Sequence, residues 1–137
     1  MGGGIAGLAS AITLSRLGWT CTILERDPGH RRLGHGLLLP AAGRDSLEQL
    51  ELRGIKAASS PVECFALHQR DGTPLELYAI PGSLGLLRRD LVSLLRHALP
   101  DSVRLEGRRV VGLEADGDGG FQVVGVRGWR QIGRAHV

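Results

Sequence analysis

The feature that most restricts the fold of this chain is a run of glycines at its start. Residues 2–7 read Gly-Gly-Gly-Ile-Ala-Gly and fit the pattern G-x-G-x-x-G. A helical pattern follows at once, with Ile5, Leu8 and Ile12 on one face. A glycine turn that runs into a helix and then into a short apolar strand is half of a parallel βαβ unit. The opening of the chain therefore predicts an α/β fold of the Rossmann type.

Each glycine of the pattern has a physical role in such a unit. Gly2 permits a tight turn out of a strand, Gly4 lets a pyrophosphate approach the backbone, and Gly7 lets the helix pack closely on the sheet. The helix N-terminus, which includes Ile5 and Ala6, presents N–H groups and a partial positive charge to phosphates. A chance glycine-rich turn is the alternative. The context favours the dinucleotide site, and we predict that these five residues hold its pyrophosphate.

That context is a strand predicted over residues 20–25, which ends in an acidic residue. Glu25 lies eighteen residues after Gly7, near the ~20 expected for the carboxylate that accepts a hydrogen bond from a ribose hydroxyl. A carboxylate there would repel a 2′-phosphate, so NADP is disfavoured relative to FAD or NAD. The alternative for Glu25 is a solvated strand end. Arg26 faces either the adenosine or the solvent.

Hydrophobic periodicity and turn residues predict the other elements. Asp71-Gly72 between two β-rich runs indicates a hairpin, and Gly54 is expected just past the end of the second helix. The predicted elements are a loop over 26–40, helices over 43–53 and 89–99, a hairpin within 62–80, a strand over 103–106 and a hairpin joining 109–114 to 121–126.

Composition and charge argue against several classes of protein. The net charge is +3, but the arginines are scattered among acidic residues and aromatic residues make up 4% of the chain, so we expect no nucleic-acid partner. No apolar stretch approaches the ~18 residues of a membrane span. Cys21 and Cys64 form no C-x-x-C pair, which favours a cytoplasmic location. We expect no metal site, and no side chain is nominated as catalytic.

Three motifs, in order along the chain, resemble those of the flavoprotein monooxygenases of the aromatic hydroxylase type. The first is the glycine turn through Leu-Glu-Arg-Asp at residues 24–27. The second is Gly-His-Gly-Leu-Leu-Leu-Pro at 34–40, followed by a helix that ends in a Leu-x-Leu-x-Gly-Ile pattern at 50–55. The third is Leu-Arg-Arg-Asp-Leu at 87–91, which is similar to the R-x-[DE]-L helix start of that family. The resemblance covers residues 2–126.

The resemblance implies a Rossmann-like FAD/NAD(P)-binding fold in which Arg88 contacts the flavin side of the nucleotide. It also implies FAD as the cofactor, NAD(P)H as a transient reductant, and hydroxylation of a small aromatic or polycyclic substrate with O2. The nearest alternatives are another flavoprotein of this architecture, such as a halogenase or an isoprenoid reductase, and a non-catalytic or degenerate nucleotide-binding fragment. The sequence leaves the substrate, the choice between NADH and NADPH and the oligomeric state open.

Several departures from the family pattern indicate an N-terminal fragment truncated at both ends. No strand precedes Gly2, and the later D-G and G-D motifs are missing; the Asp116-Gly117 pair is better explained as a hairpin loop. Residues 131–137 resemble a translated sequencing adapter and are expected to be a non-native tail. We thus expect a partial FAD-binding domain over 1–130, with a substrate-side hairpin around 62–80. Alone, this fragment should be inactive and bind FAD poorly.

Overall fold

The structure is a computed structural model that describes residues 2–29, 35–115 and 120–133, with the backbone alone described at 127 and 131–133. The chain divides into two compact units. The first unit comprises Met1–Arg32 and Leu95–Val137, and the second comprises Leu33–Leu94. The sequence had predicted one domain that includes a substrate-side hairpin, and that hairpin lies in the second unit.

The first unit opens with the predicted helix and strand. Helix α1 (Ile5–Arg16) buries Leu8, Ala11 and Ile12 and packs on strand β1 (Thr22–Glu25). Strand β1 pairs in parallel with β5 (Arg104–Gly107), so that Glu25 lies opposite Gly107. The parallel pairing and the helix confirm the α/β class predicted from the glycine turn.

A three-stranded antiparallel sheet completes the first unit. Its strands are β6 (Val110–Ala115), β7 (Phe121–Gly125) and β8 (Arg130–Gly133), in the order β6-β7-β8. A 3₁₀ turn, Val126–Gly128, joins the last two strands. The second predicted hairpin is confirmed by the pairing of β6 with β7. Residues 116–119, to which we assigned its loop, lie outside the described residues.

The second unit is built on another antiparallel sheet. Its elements are β2 (Gly36–Leu39), α2 (Ala41–Gln49), β3 (Ser59–His68), β4 (Pro74–Leu87) and the start of α3 (Arg88–His97), and the strand order is β2-β4-β3. The predicted Asp71-Gly72 turn joins β3 to β4, and Gly72 has a φ of 89° there. In the part of the chain that the structure describes, no helix is long and apolar enough to cross a bilayer.

Two predictions for the second unit were wrong. Part of the predicted loop over 26–40 is the strand β2, because its three leucines find a partner in Leu84–Leu87 of β4. Helix α2 begins and ends earlier than predicted, directly after Pro40 and at Gln49. The residue with positive φ that follows its end is Glu51 (φ 53°), whereas Gly54 (φ 89°) belongs to a later turn.

Residues 131–133, which were excluded from the fold prediction as part of the expected non-native tail, belong by their backbone to β8, in which Ile132 pairs with Gln122 and Gly133 with Phe121. Pairing requires only backbone N–H and C=O groups, so it does not need the hydrophobic period that this segment lacks. Residues 134–137 lie outside the described residues, and their non-native origin stays a prediction.

Candidate nucleotide-binding site

The predicted pyrophosphate residues lie at the start of α1. Gly4 is the N-cap, with φ −77° and ψ 179°, and its carbonyl accepts the first helical hydrogen bond from the amide of Leu8 at 2.9 Å. The N–H groups of the first helical turn have no acceptor within the helix. The first turn contains no acidic residue. This end of the helix can therefore bind an anion.

Position 7 has room only for glycine, because the backbone of the turn lies against it. A Cβ at this position would coincide with the carbonyl oxygen of Gly2. The sequence-based interpretation gave Gly7 the role of letting the helix approach the sheet. In the structure, its missing side chain lets the chain fold back so that Gly2 lies over the first turn of the helix.

Gly4 has the opposite environment. A Cβ built on Gly4 meets no atom within 4 Å, so the space beside its backbone is open. A side chain there would occupy the volume through which a pyrophosphate reaches the helix N-terminus. The open space fits the role that the motif predicts for this glycine.

The neighbouring Gly3, which the motif treats as variable, is tied to the acidic residue. Its amide donates a hydrogen bond of 2.9 Å to Oε2 of Glu25, and a Cβ at Gly3 would lie 3.0 Å from the Cβ of Glu25. The other carboxylate oxygen, Oε1, accepts a hydrogen bond of 2.9 Å from the amide of Asp27. Two backbone amides therefore fix the orientation of the Glu25 carboxylate. Sequence reasoning missed Gly3, although the run of three glycines pointed to it.

A cavity of about 520 Å³ lies beside this carboxylate. Its volume is within the range of ordinary ligand pockets. One side is formed by residues of the predicted site, and the other by a segment that sequence reasoning did not select. The lining residues are Gly2, Leu24, Glu25, Arg26, Arg108, Arg109, Val110, Leu113 and Val123.

Arg88, the residue assigned by resemblance to the flavin, lies in the second unit. It is the first residue of α3 and is exposed. Its amide donates a hydrogen bond of 3.0 Å to the carbonyl of His35, and the neighbouring Leu87 pairs with Gly36. The structure thus places the second of the three motifs, at His35 and Gly36, beside the third, at Leu87 and Arg88. Among the described residues, no cluster of His, Cys, Asp or Glu could hold a metal ion.

Comparisons with known proteins point to the same family as the three sequence motifs. No family model matches the chain. It is 32% identical over 128 residues to "Monooxygenase 1" of Arabidopsis thaliana, covering 90% of this chain and 32% of that protein. The structure of Klebsiella pneumoniae HpxO complexed with FAD and uric acid superposes with a TM-score of 0.72 at 23% identity, covering 96% of this chain and 36% of that one. That of 2,6-dihydroxypyridine-3-hydroxylase from Arthrobacter nicotinovorans gives a TM-score of 0.70 at 21% identity, with coverages of 96% and 33%.

The chain has the fold of the FAD-dependent monooxygenases. The resemblance read from the three motifs is confirmed by these superpositions and by the monooxygenase relative. The chain spans about one third of the length of these proteins, from 32% to 36%. The fold of this chain is therefore part of a larger arrangement in these relatives.

Proposed function

We propose that this chain is the FAD-binding portion of a flavin-dependent monooxygenase. The observation that carries the proposal is the open space over Gly4 at the cationic end of α1, next to the fixed carboxylate of Glu25. This combination provides for both anionic and hydroxyl groups of a dinucleotide. The residues present therefore fit the ADP part of FAD.

Each predicted site residue has a place in this proposal. The pyrophosphate lies against the turn and the first turn of α1, at Gly2, Gly4, Ile5, Ala6 and Gly7. The carboxylate of Glu25 accepts hydrogen bonds from the adenosine ribose. Arg26 lines the cavity beside Glu25. The role of Arg88 on the flavin side rests on the resemblance alone.

Bound FAD would supply the redox and oxygen chemistry, and the residues of this chain would bind and orient it. In this proposal the chain acts electrostatically. The N–H groups and the dipole of α1 offset the charge of the diphosphate, and Glu25 orients the ribose by accepting its hydrogen bonds. We propose NAD(P)H as the reductant and O2 as the oxidant of the whole protein. Both cysteines are free, Cys21 buried and Cys64 exposed, which suits the reducing cytoplasm.

The substrate we propose is a small aromatic or polycyclic molecule. Two of the structurally similar proteins have names or ligands of this kind, uric acid in one and a dihydroxypyridine in the other. The second unit of this chain has a shallow, open depression of about 560 Å³ with a largely apolar lining, formed mainly by β2, β4 and the start of β3. Its lining includes Leu37, Val62 and Leu86. An apolar surface of this kind favours an apolar ligand over a charged one.

The test is calorimetric titration of the 137-residue chain with FAD, NAD and NADP. We expect weak saturable binding of FAD, and NADP at least about tenfold weaker because Glu25 opposes its 2′-phosphate. Glu25→Gln should reduce that discrimination, whereas Glu63→Gln, an exposed charge of the second unit, should leave it unchanged. Absence of binding by a chain that is folded by circular dichroism would contradict the proposal. NADP binding as tight as FAD binding would contradict the role of Glu25.

A further inference from the structure

The outer part of the β3–β4 hairpin is a ribbon of two strands. Strand β2 pairs with β4 at Leu84–Leu87, whereas β3 and β4 stay paired as far as His68 and Pro74. Residues 63–79, which we call the outer ribbon, are all exposed. Among the described residues, no third strand pairs with this part of the hairpin. Two strands alone are marginally stable in water, so the outer ribbon needs a further strand or a packing partner.

Both faces of the outer ribbon carry apolar side chains. On one face Phe65 lies opposite Tyr78, with ring centroids 6.2 Å apart, and Leu67 follows on the same face. On the other face Ala66 lies opposite Leu77. The large apolar residues of the ribbon expose between 38% and 68% of their surface: Phe65, Leu67, Leu75, Leu77 and Tyr78. Contiguous apolar surface of this kind marks a site of protein–protein contact.

The two edges of the outer ribbon differ in their protection against further pairing. The β4 edge contains Pro74, the charged Glu76 and, between them, Leu75, which the register skips. Proline, charge and irregular register are features that keep an edge strand from pairing with other strands. Residues 64–68 of β3 read Cys-Phe-Ala-Leu-His and contain no proline, acidic residue, lysine or arginine. The edge of β3 is therefore the one open to another strand.

This segment of β3 is complementary to an identical segment that runs in the opposite direction. Antiparallel pairing centred on Ala66 places Phe65 opposite Leu67 of the second copy, which joins two apolar side chains. Ala66 faces its own copy across the two-fold axis, where a small side chain is easily accommodated. Glu63, just before the segment, lies opposite Gln69, so that no two like charges face each other.

We propose that the outer ribbon is a homodimerisation surface, in which β3 pairs antiparallel with β3 of a second copy about a two-fold axis at Ala66. The two ribbons then form one sheet, and each supplies the strand that the other lacks. Because a two-fold contact uses the same edge on both copies, assembly stops at the dimer. The inference goes beyond the proposed cofactor binding and does not depend on it, since the ribbon belongs to the second unit and the glycine turn to the first.

Sedimentation equilibrium of the 137-residue chain in reducing buffer measures the assembly. The chain has a mass of 14.6 kDa. We expect the weight-average mass to rise to twice this value between about 5 and about 500 µM, a range that brackets the micromolar affinity of a small interface. A mass that stays at 14.6 kDa throughout would overturn the proposal and leave the edge to a strand of a different polypeptide. Growth beyond the dimer would overturn the two-fold contact.

Ala66→Lys tests the position of the contact. It places two like charges opposite each other at the axis, so the dimer should dissociate at a concentration at least about tenfold higher. Ala57→Lys adds the same charge at an exposed position that precedes β3 and should leave dimerisation unchanged. Circular dichroism of both variants checks that the fold is intact. Equal dimerisation of the two folded variants would show that the β3 edge is not the contact.

Cross-linking tests the register. Directly opposite residues of antiparallel strands have Cα atoms about 4.5 or 5.5 Å apart, within the reach of a disulfide. Ala66→Cys combined with Cys64→Ser should therefore form a covalent dimer on mild oxidation. In the unchanged chain Cys64 lies opposite His68 of the second copy, about 13 Å along the strand from the other Cys64, and should cross-link at least about tenfold more slowly. Equal rates of cross-linking in the two proteins would overturn the pairing centred on Ala66.

Discussion

The amide of Gly3 donates a hydrogen bond of 2.9 Å to the carboxylate of Glu25, which lies 22 residues further along the chain. This bond joins the glycine turn to the end of the parallel strand. Because Asp27 donates to the other oxygen of the same carboxylate, Glu25 stabilises the local backbone as well as facing the proposed ribose. The residue that the motif assigns to ligand recognition thus also orders the site.

The first prediction concerns Glu25→Gln. A glutamine side chain has one oxygen acceptor, and its NH2 group cannot accept a hydrogen bond from a backbone amide. One of the two bonds, to Gly3 or to Asp27, is therefore lost, and the other loses its charge. We expect the free energy of unfolding to fall by about 1–2 kcal/mol in urea denaturation. Glu63→Gln is the matched control. Equal midpoints for the two variants would show that the carboxylate does not order the turn.

The second prediction is that Gly7→Ala destabilises the fold. Helix propensity alone predicts the opposite, a gain of up to about 1 kcal/mol for alanine in place of glycine. The new Cβ would coincide with the carbonyl oxygen of Gly2, so the turn must move away. We expect a net loss of about 2 kcal/mol or more in the free energy of unfolding, since overpacking costs about 1–3 kcal/mol and the contact is with backbone. A stabilised variant would mean that the turn relaxes without cost.

The third prediction concerns Gly4→Ala, which is the counterpart of Gly7→Ala. The added methyl group meets no atom within 4 Å, and φ −77° is accessible to alanine. Stability should fall by less than about 1 kcal/mol, from the weaker N-cap alone. The affinity for ADP should fall about tenfold or more, because the methyl occupies the path of the pyrophosphate. Calorimetry with ADP measures this. Unchanged affinity would show that the phosphates lie elsewhere.

The parts of the fold that the sequence predicts are those with a local cause. The periodicity of α1, the apolar β1 and the Asp71-Gly72 turn each depend on neighbouring residues, and all three are present in the structure. Strand β2 was missed because three leucines have no period of their own and depend on pairing with β4. The end of α2 was misplaced because Glu51, a residue that rarely adopts positive φ, does so there.

The candidate site also contains residues that the local sequence predicts and residues that only the tertiary structure brings in. The glycine turn and Glu25 follow from a spacing of eighteen residues. The place of Arg108 in the lining of the cavity depends on the parallel pairing of β1 with β5, which puts Glu25 opposite Gly107, one residue before Arg108. Such a contact depends on tertiary structure and leaves no local pattern. The role of Gly3 likewise follows from its distance to Glu25 rather than from the motif.

The last prediction concerns pH and the hairpin of the second unit. The amide of Thr73 donates a hydrogen bond of 2.9 Å to Oδ1 of Asp71, and this bond lowers the pKa of the Asp71 carboxyl below its ordinary 3.8. A lowered pKa means that the charged form stabilises the folded turn. That contribution is fully present above the unfolded pKa and is lost as the pH falls through the folded pKa.

NMR titration should therefore give a pKa for Asp71 below 3.8, with the amide shift of Thr73 following the same curve. In Asp71→Asn the amide oxygen can still accept the bond but carries no charge. The Thr73 shift should then lose this acid transition, while the Asp71-Gly72 turn persists. A carboxyl pKa at or above the ordinary value would mean that the Thr73 bond does not favour the charged form.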